Sequence, residues 1–328
     1  MKMKRLLGLF LVIALVIALT PGGAPAANVV TFRLGHTTAP THHYHYVSLM
    51  FAEKIAERTN GRIEILVFPS DQLGTQMESI EGTMLGTQDM VLTSDMALSN
   101  WIPEMGIFNL PFIFRDAAHF RTVLNGPIAE RISDKMGPTG AQVLAWWDGG
   151  LRHVTNSVRP IVTPEDLSGL VIRVPEGAVY LETFSALGAI PTVLGLGEVY
   201  SALQLGTVDG QENPPAHILS QRFYEVQPFV SRTGHIRFSS PLLVNSARFA
   251  ALPQELQDIM RETAREIGVI HDALVQELEE EQWAQLAALG MEIYDPDLEP
   301  FRAAAEPVFD LFKQRLDPDL IEAVRTAR

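Results

Sequence analysis

Arg173 is the first residue of this chain to consider for anion chemistry. It lies in Val171-Ile172-Arg173-Val174-Pro175-Glu176, where strand alternation puts it on the face opposite Ile172 and Val174. Pro175 closes the strand beside it. A guanidinium there offers a planar fork that fits a carboxylate through two parallel hydrogen bonds, which a lysine cannot reproduce. A structural ion pair with Glu176 would use the same fork. Arg152, after the pair Gly149-Gly150 that reads as a hinge, either joins a bound anion or pairs with a nearby acid. Asn213 precedes Pro214, the pattern of an N-cap and first helical turn, and a helix starting there would turn its free backbone donors toward an anion.

Other residues carry weaker chemistry. His42, His43 and His45, with His36 nearby, invite a metal-site reading. Adjacent side chains on a strand or helix start point apart, so the reading preferred is that one or two of them donate hydrogen bonds into a cleft and the rest are solvated, with no metal and no cofactor. Of Trp146 and Trp147, one is read as core and the other as a cap over the cleft. No phosphate loop, nucleophile elbow, zinc helix or dinucleotide fingerprint occurs. A secreted enzyme acting on organic or sugar acids through a His-Asp pair stays as the alternative, and a sensory binding module as a third reading.

The chain around these residues opens with Lys2, Lys4 and Arg5, then an apolar run of about 14 residues and Ala24-Pro25-Ala26-Ala27. That is a secretory signal peptide over 1–27 rather than a membrane anchor. With no cysteine, disulfides and a lipidated N-terminus are excluded, so a freely diffusing exported protein is expected. Losing Lys2, Lys4 and Arg5 takes the net charge from −14 to about −17, which disfavours nucleic acid and anionic membranes as partners. An anion must then be held by a local basic site.

Apolar periodicity alternates between strand-like and helix-like stretches, giving an α/β fold with a mostly parallel sheet. Strands are expected at 29–34, 62–68, 90–93, 142–146, 152–155, 170–174, 191–194 and 208–211. Helices are expected at 44–59, 76–85, 117–124, 178–187, 198–204 and 214–224. The longest element runs from Gln254 to Ala288, between Pro253 and Gly290; at ~1.5 Å per residue it spans about 50 Å. No single small domain is that wide, so it braces two lobes, with a bend expected at Gly268.

Several segments together resemble a known family: Leu-Arg-His-Val-Thr-Asn-Ser at 151–157, Gly-Leu-Val-Ile-Arg-Val-Pro-Glu at 169–176, Leu-Gly-Ala-Ile-Pro-Thr at 187–192 and the stretch ending Val-Asp-Gly-Gln-Glu-Asn-Pro at 208–214. With Leu34-Gly35-His36, the Pro69 to Gly74 turn and Thr233-Gly234-His235, the chain resembles DctP-type substrate-binding proteins of tripartite ATP-independent periplasmic (TRAP) transporters. The resemblance implies a periplasmic, two-lobed clamshell braced by the long helix, with lobe I at 28–150 plus 239–279 and lobe II at 151–238 plus 280–328. It implies a receptor that captures a small organic acid and delivers it to small and large membrane subunits. Arg173 would form the carboxylate salt bridge, joined by Arg152 and Asn213. His36, His43, Tyr44, Ser94 and Asp95 would line the cleft from the first lobe, with Trp147, Pro175 and Glu212 beside them. Asp95 would receive a hydroxyl or ammonium and repel a second carboxylate.

Overall fold

The computed structural model describes residues 29–328; the leader expected at 1–27 lies outside the described residues. Nine strands form one mixed sheet: β1 (Val30–Gly35), β2 (Ile63–Phe68), β3 (Met90–Leu92), β4 (Ala141–Asn156), β5 (Val171–Val174), β6 (Ile190–Val193), β7 (Gly210–Asn213), β8 (Phe229–Asn245) and β9 (Glu292–Tyr294). Their order is β2-β1-β3-β8-β4-β7-β5-β6, with β9 against β8. The parallel sheet expected from the sequence is found only in its flanks, because the centre is the antiparallel pair β4 and β8.

Those two strands organise the protein. The 141–148 end of β4 pairs with 239–245 of β8, and β3 lies beside it on β8. The 153–156 end of β4 pairs with β7 and with 229–231 of β8, against which β9 lies. One ribbon thus runs through both halves of a two-lobed α/β molecule. The two strands expected at 142–146 and 152–155 are one, interrupted by a bulge between Asp148 and Gly150. Gly149 and Gly150 serve close packing there, not a flexible hinge: a Cβ on Gly149 would meet the Phe238 ring at 2.5 Å, and Gly150 holds a φ of +97° against Pro214.

The helix Gln254–Ala288 forms with the bounds the sequence indicated, and its apolar stripe packs on β4 and on the helix His43–Arg58. It stays helical through Gly268, where no bend is needed: the missing Cβ lets the helix approach Trp147, whose ring would lie 3.0 Å from it. Trp147 is fully buried and donates Nε1–H to the Ala264 carbonyl. Trp146 points to the other face, packs on Phe108 and donates to Ser133 Oγ at 3.0 Å. Neither tryptophan caps the cleft. The last two helices cross both halves: Phe301 joins Tyr180 and Phe184, while Phe309, Leu320 and Val324 join Phe108 and Phe120.

Candidate functional site: a two-arginine cavity where the long strands cross

A cavity of about 40 Å³ opens where the two halves meet. One side is made by Thr37, Tyr44, Gln76, Leu92, Thr93, Ser94 and Met96; Arg152, Phe238 and Ser240 come from the crossing strands, and Arg173, Pro175, Leu196, Asn213 and His217 from the other side. Two arginines and no acid are among its lining residues.

The two arginines are in different electrostatic states. Arg152 donates Nε and Nη2 to the Glu212 carboxylate at 2.5 and 2.6 Å, and Nη2 also to the Glu212 carbonyl. Its guanidinium is sandwiched near the Phe238 and Tyr180 rings. Arg173 is just 2 % exposed, yet among the described residues no carboxylate lies within ion-pair distance of it. Its Nε and Nη2 both donate to the Leu194 carbonyl just past β6, at 2.9 and 2.6 Å, which fixes the fork without neutralising it. Burial and the neighbouring Arg152 push it down to about 10, against the pull of Glu212 and Glu176. It is a buried cation lacking a counterion.

Residues 34–315 match the family model described as bacterial extracellular solute-binding protein, family 7, DctP. The chain belongs to this family. It is 36 % identical over 306 residues to a solute-binding protein of Verminephrobacter eiseniae, covering 93 % of this chain and 91 % of that one. Its fold matches a TRAP periplasmic solute-binding protein from Polaromonas sp. JS666 bound to D-erythronate, with a TM-score of 0.89, 35 % identity and coverage of 91 % and 99 %. A second such protein, from Roseobacter denitrificans with bound β-D-glucuronate, matches with a TM-score of 0.87, 29 % identity and coverage of 91 % and 100 %.

In this family 7 protein the cavity gathers Arg173, Arg152, Asn213, Tyr44, Ser94 and Pro175 of the residues marked in the sequence, and does not gather His36, His43, Asp95, Trp147 or Glu212. Asn213 ends β7 instead of capping a helix; Pro214 is the cap, and the helix Pro215–Ser220 is only six residues long. Asn213 Nδ2 donates to Gln211 Oε1, and Gln211 donates to Thr155, so its amide is held in a buried chain. Glu212 works from behind, holding Arg152 and accepting from His235 Nε2 at 3.0 Å.

Asp95 is fully buried, and its Oδ2 accepts from the Ser239 N–H and hydroxyl at 2.8 and 2.6 Å. Burial pushes it up to about 6, against the Ser239 hydrogen bonds. It ties a short helix to β8 and is not among the residues lining the cavity. Of the four histidines, His45 is half-buried, while His36, His42 and His43 are buried and not solvated, and the rings of His42 and His43 lie 4.0 Å apart. They do not diverge, because His42 is the extended N-cap and His43 the first helical residue of His43–Arg58. His43 pairs with His271 at 2.6 Å, and His36 sits between Thr38 and His45.

Sequence reasoning missed His217, Ser240, Phe238, Gln76 and Thr93. Gln76 Nε2 donates to both Thr93 and Ser94, and the Tyr44 hydroxyl pairs with Ser240. All depend on long-range register.

Proposed function

We propose that this protein is an exported receptor that captures a small organic acid between its lobes and passes it to the membrane subunits of a TRAP transporter. The observation that carries this reading is Arg173, a buried guanidinium without a carboxylate of its own, in a cavity whose lining contains no acid. A ligand carboxylate supplies the missing charge, and the fork held by Leu194 receives it without rearrangement. The acids bound by the Polaromonas and Roseobacter proteins support the class.

We assign the leader at 1–27 to export into the periplasm, lobe I to 28–150 plus 239–279 and lobe II to 151–238 plus 280–328, the last helix of lobe II running back over lobe I. Closure of the lobes on the ligand would create the surface the membrane subunits read. No described helix is long and apolar enough to cross a membrane. A catalytic reading fits the site poorly, since the imidazole in the cavity, His217, faces His42 and not an acid.

A thermal-shift screen against carboxylates tests the reading, because a ligand that binds only the folded state raises the melting temperature by mass action. Acids should stabilise the protein, and Arg173→Ala should abolish the shift. Stabilisation by neutral sugars and not by acids would overturn it.

A further inference from the structure

The cavity holds one imidazole, His217, and its proton is placed from outside the cavity. The backbone N–H of Tyr44 donates to His42 Nδ1 at 3.1 Å. That nitrogen therefore presents a lone pair, and a neutral His42 carries its proton on Nε2. His42 Nε2 lies 3.2 Å from His217 Nδ1. With the proton on His42, His217 Nδ1 must accept, which leaves the proton of a neutral His217 on Nε2. Both rings are buried, and burial first, then neighbouring positive charge and histidines, holds both well below the ordinary histidine range.

The rest of the lining fits a ligand with one charge and several neutral oxygens. Arg152 is balanced by Glu212, so Arg173 is the one lining cation without an acid partner. The polar groups around it, among them Ser94, Ser240 and Asn213, are hydroxyls and amides. A second carboxylate would find neutral donors and a guanidinium, Arg152, whose charge Glu212 already balances.

We infer that His217 is a specificity-determining residue: the Tyr44–His42–His217 relay fixes Nε2–H as a donor into the cavity, where it binds an uncharged oxygen of a hydroxylated monocarboxylate. This rests on the carboxylate reading of Arg173, and the relay itself does not. A ligand hydroxyl accepts from His217 while the ligand carboxylate faces Arg173, so a deoxy acid of equal length leaves the imidazole donor unpaired in a buried site. A dicarboxylate buries a second charge without a cation.

The test is calorimetry of the full mature chain with three four-carbon acids, D-erythronate, butyrate and succinate, alongside ¹⁵N NMR of the histidine rings in the ligand-free protein. D-Erythronate should bind at least about tenfold more tightly than the other two, the size of one neutral hydrogen bond. His217→Leu should remove about that factor for D-erythronate and leave butyrate nearly unchanged. His217→Gln, whose Nε2 places an amide donor near the same point, should retain most of the preference. The spectra should show His217 with its proton on Nε2, and His42→Ala should let the two tautomers mix. An Nδ1–H tautomer in the unmodified protein overturns the relay, whatever the variants do. Equal losses for D-erythronate and butyrate in His217→Leu, or tighter binding of succinate, overturn the specificity role. Binding of all three acids that survives Arg173→Met would instead sink the carboxylate reading and leave the tautomer result standing.

Discussion

Glu212 grips Arg152 through both carboxylate oxygens, at 2.5 and 2.6 Å, with both side chains out of contact with solvent. Register puts them there: Val154 on β4 lies opposite Glu212 on β7, two residues from Arg152. Glu212 fixes Arg152 in the cavity wall from behind, and on the proposed reading this leaves the anion site to Arg173.

Glu212→Gln removes the only acidic partner, among the described residues, of a buried guanidinium and should destabilise the protein by about 3–5 kcal/mol, as expected when one member of a buried pair is lost. Urea unfolding measures it. A change near zero would mean that Arg152 finds compensation elsewhere.

Arg173→Met should act in the opposite sense on the ligand-free protein. It replaces an uncompensated buried cation with an apolar side chain, so a gain on the order of 1 kcal/mol is expected, together with loss of acid binding. Melting temperature and calorimetry read the two effects on one sample. Binding should weaken by about 2–5 kcal/mol. A variant that is both less stable and still competent to bind would contradict the assignment.

Gly149→Ala should cost about 1–3 kcal/mol of stability by overpacking. The new methyl would sit 2.5 Å from Phe238, which lines the cavity and lies under Arg152. Affinity should fall with stability, since Phe238 must move. Intact stability would show that the bulge relaxes at no cost.

Acid should unfold the protein early. Burial holds His36 at about 4 and His43 at about 3, against an ordinary 6.5, and also holds His42, His153, His217 and His271 well below that value. With folded values depressed, the unfolded chain binds the extra protons, so stability present above 6.5 is lost as pH falls below it. Each such histidine contributes a slope on the order of 1.4 kcal/mol per pH unit in that window. Asp272, raised to about 7 by burial and Asp148, works against this, as do Asp71 and Asp95 at about 6 and Glu279, which burial also raises, since the folded state binds those protons more tightly. The histidines outnumber them. Melting temperatures taken from about pH 7 to about pH 5 should fall, and fall less steeply in His43→Gln; a flat or rising curve in the parent protein would refute the balance.

Much of this was legible locally. The helix Gln254–Ala288 announced itself through periodicity, Pro253 and Gly290, and the helices Gln76–Leu85 and Ala117–Leu124 formed with the bounds read from the sequence. Arg173 stood out because one charged residue interrupted an apolar strand. β8 did not, since Thr233-Gly234-His235 and Ser239-Ser240-Pro241 break its alternation; those polar groups are buried because Glu212, Asp95 and Tyr44 meet them. His217 gave no local signal at all. Its role comes from a partner 175 positions away, a distance no periodicity spans.

The pairing of β4 with β8 also limits how the cleft can behave mechanically. Walls joined by loops swing freely, but these are cut from one hydrogen-bonded ribbon, so separating them means flexing two strands at once. The register shifts at three places along that ribbon, between Val143 and Ala145, Asp148 and Gly150, and Arg152 and Val154. If the cleft opens and closes as proposed, the molecule would act as a leaf spring, its recoil returning Arg152 and Arg173 to the same places for the next ligand.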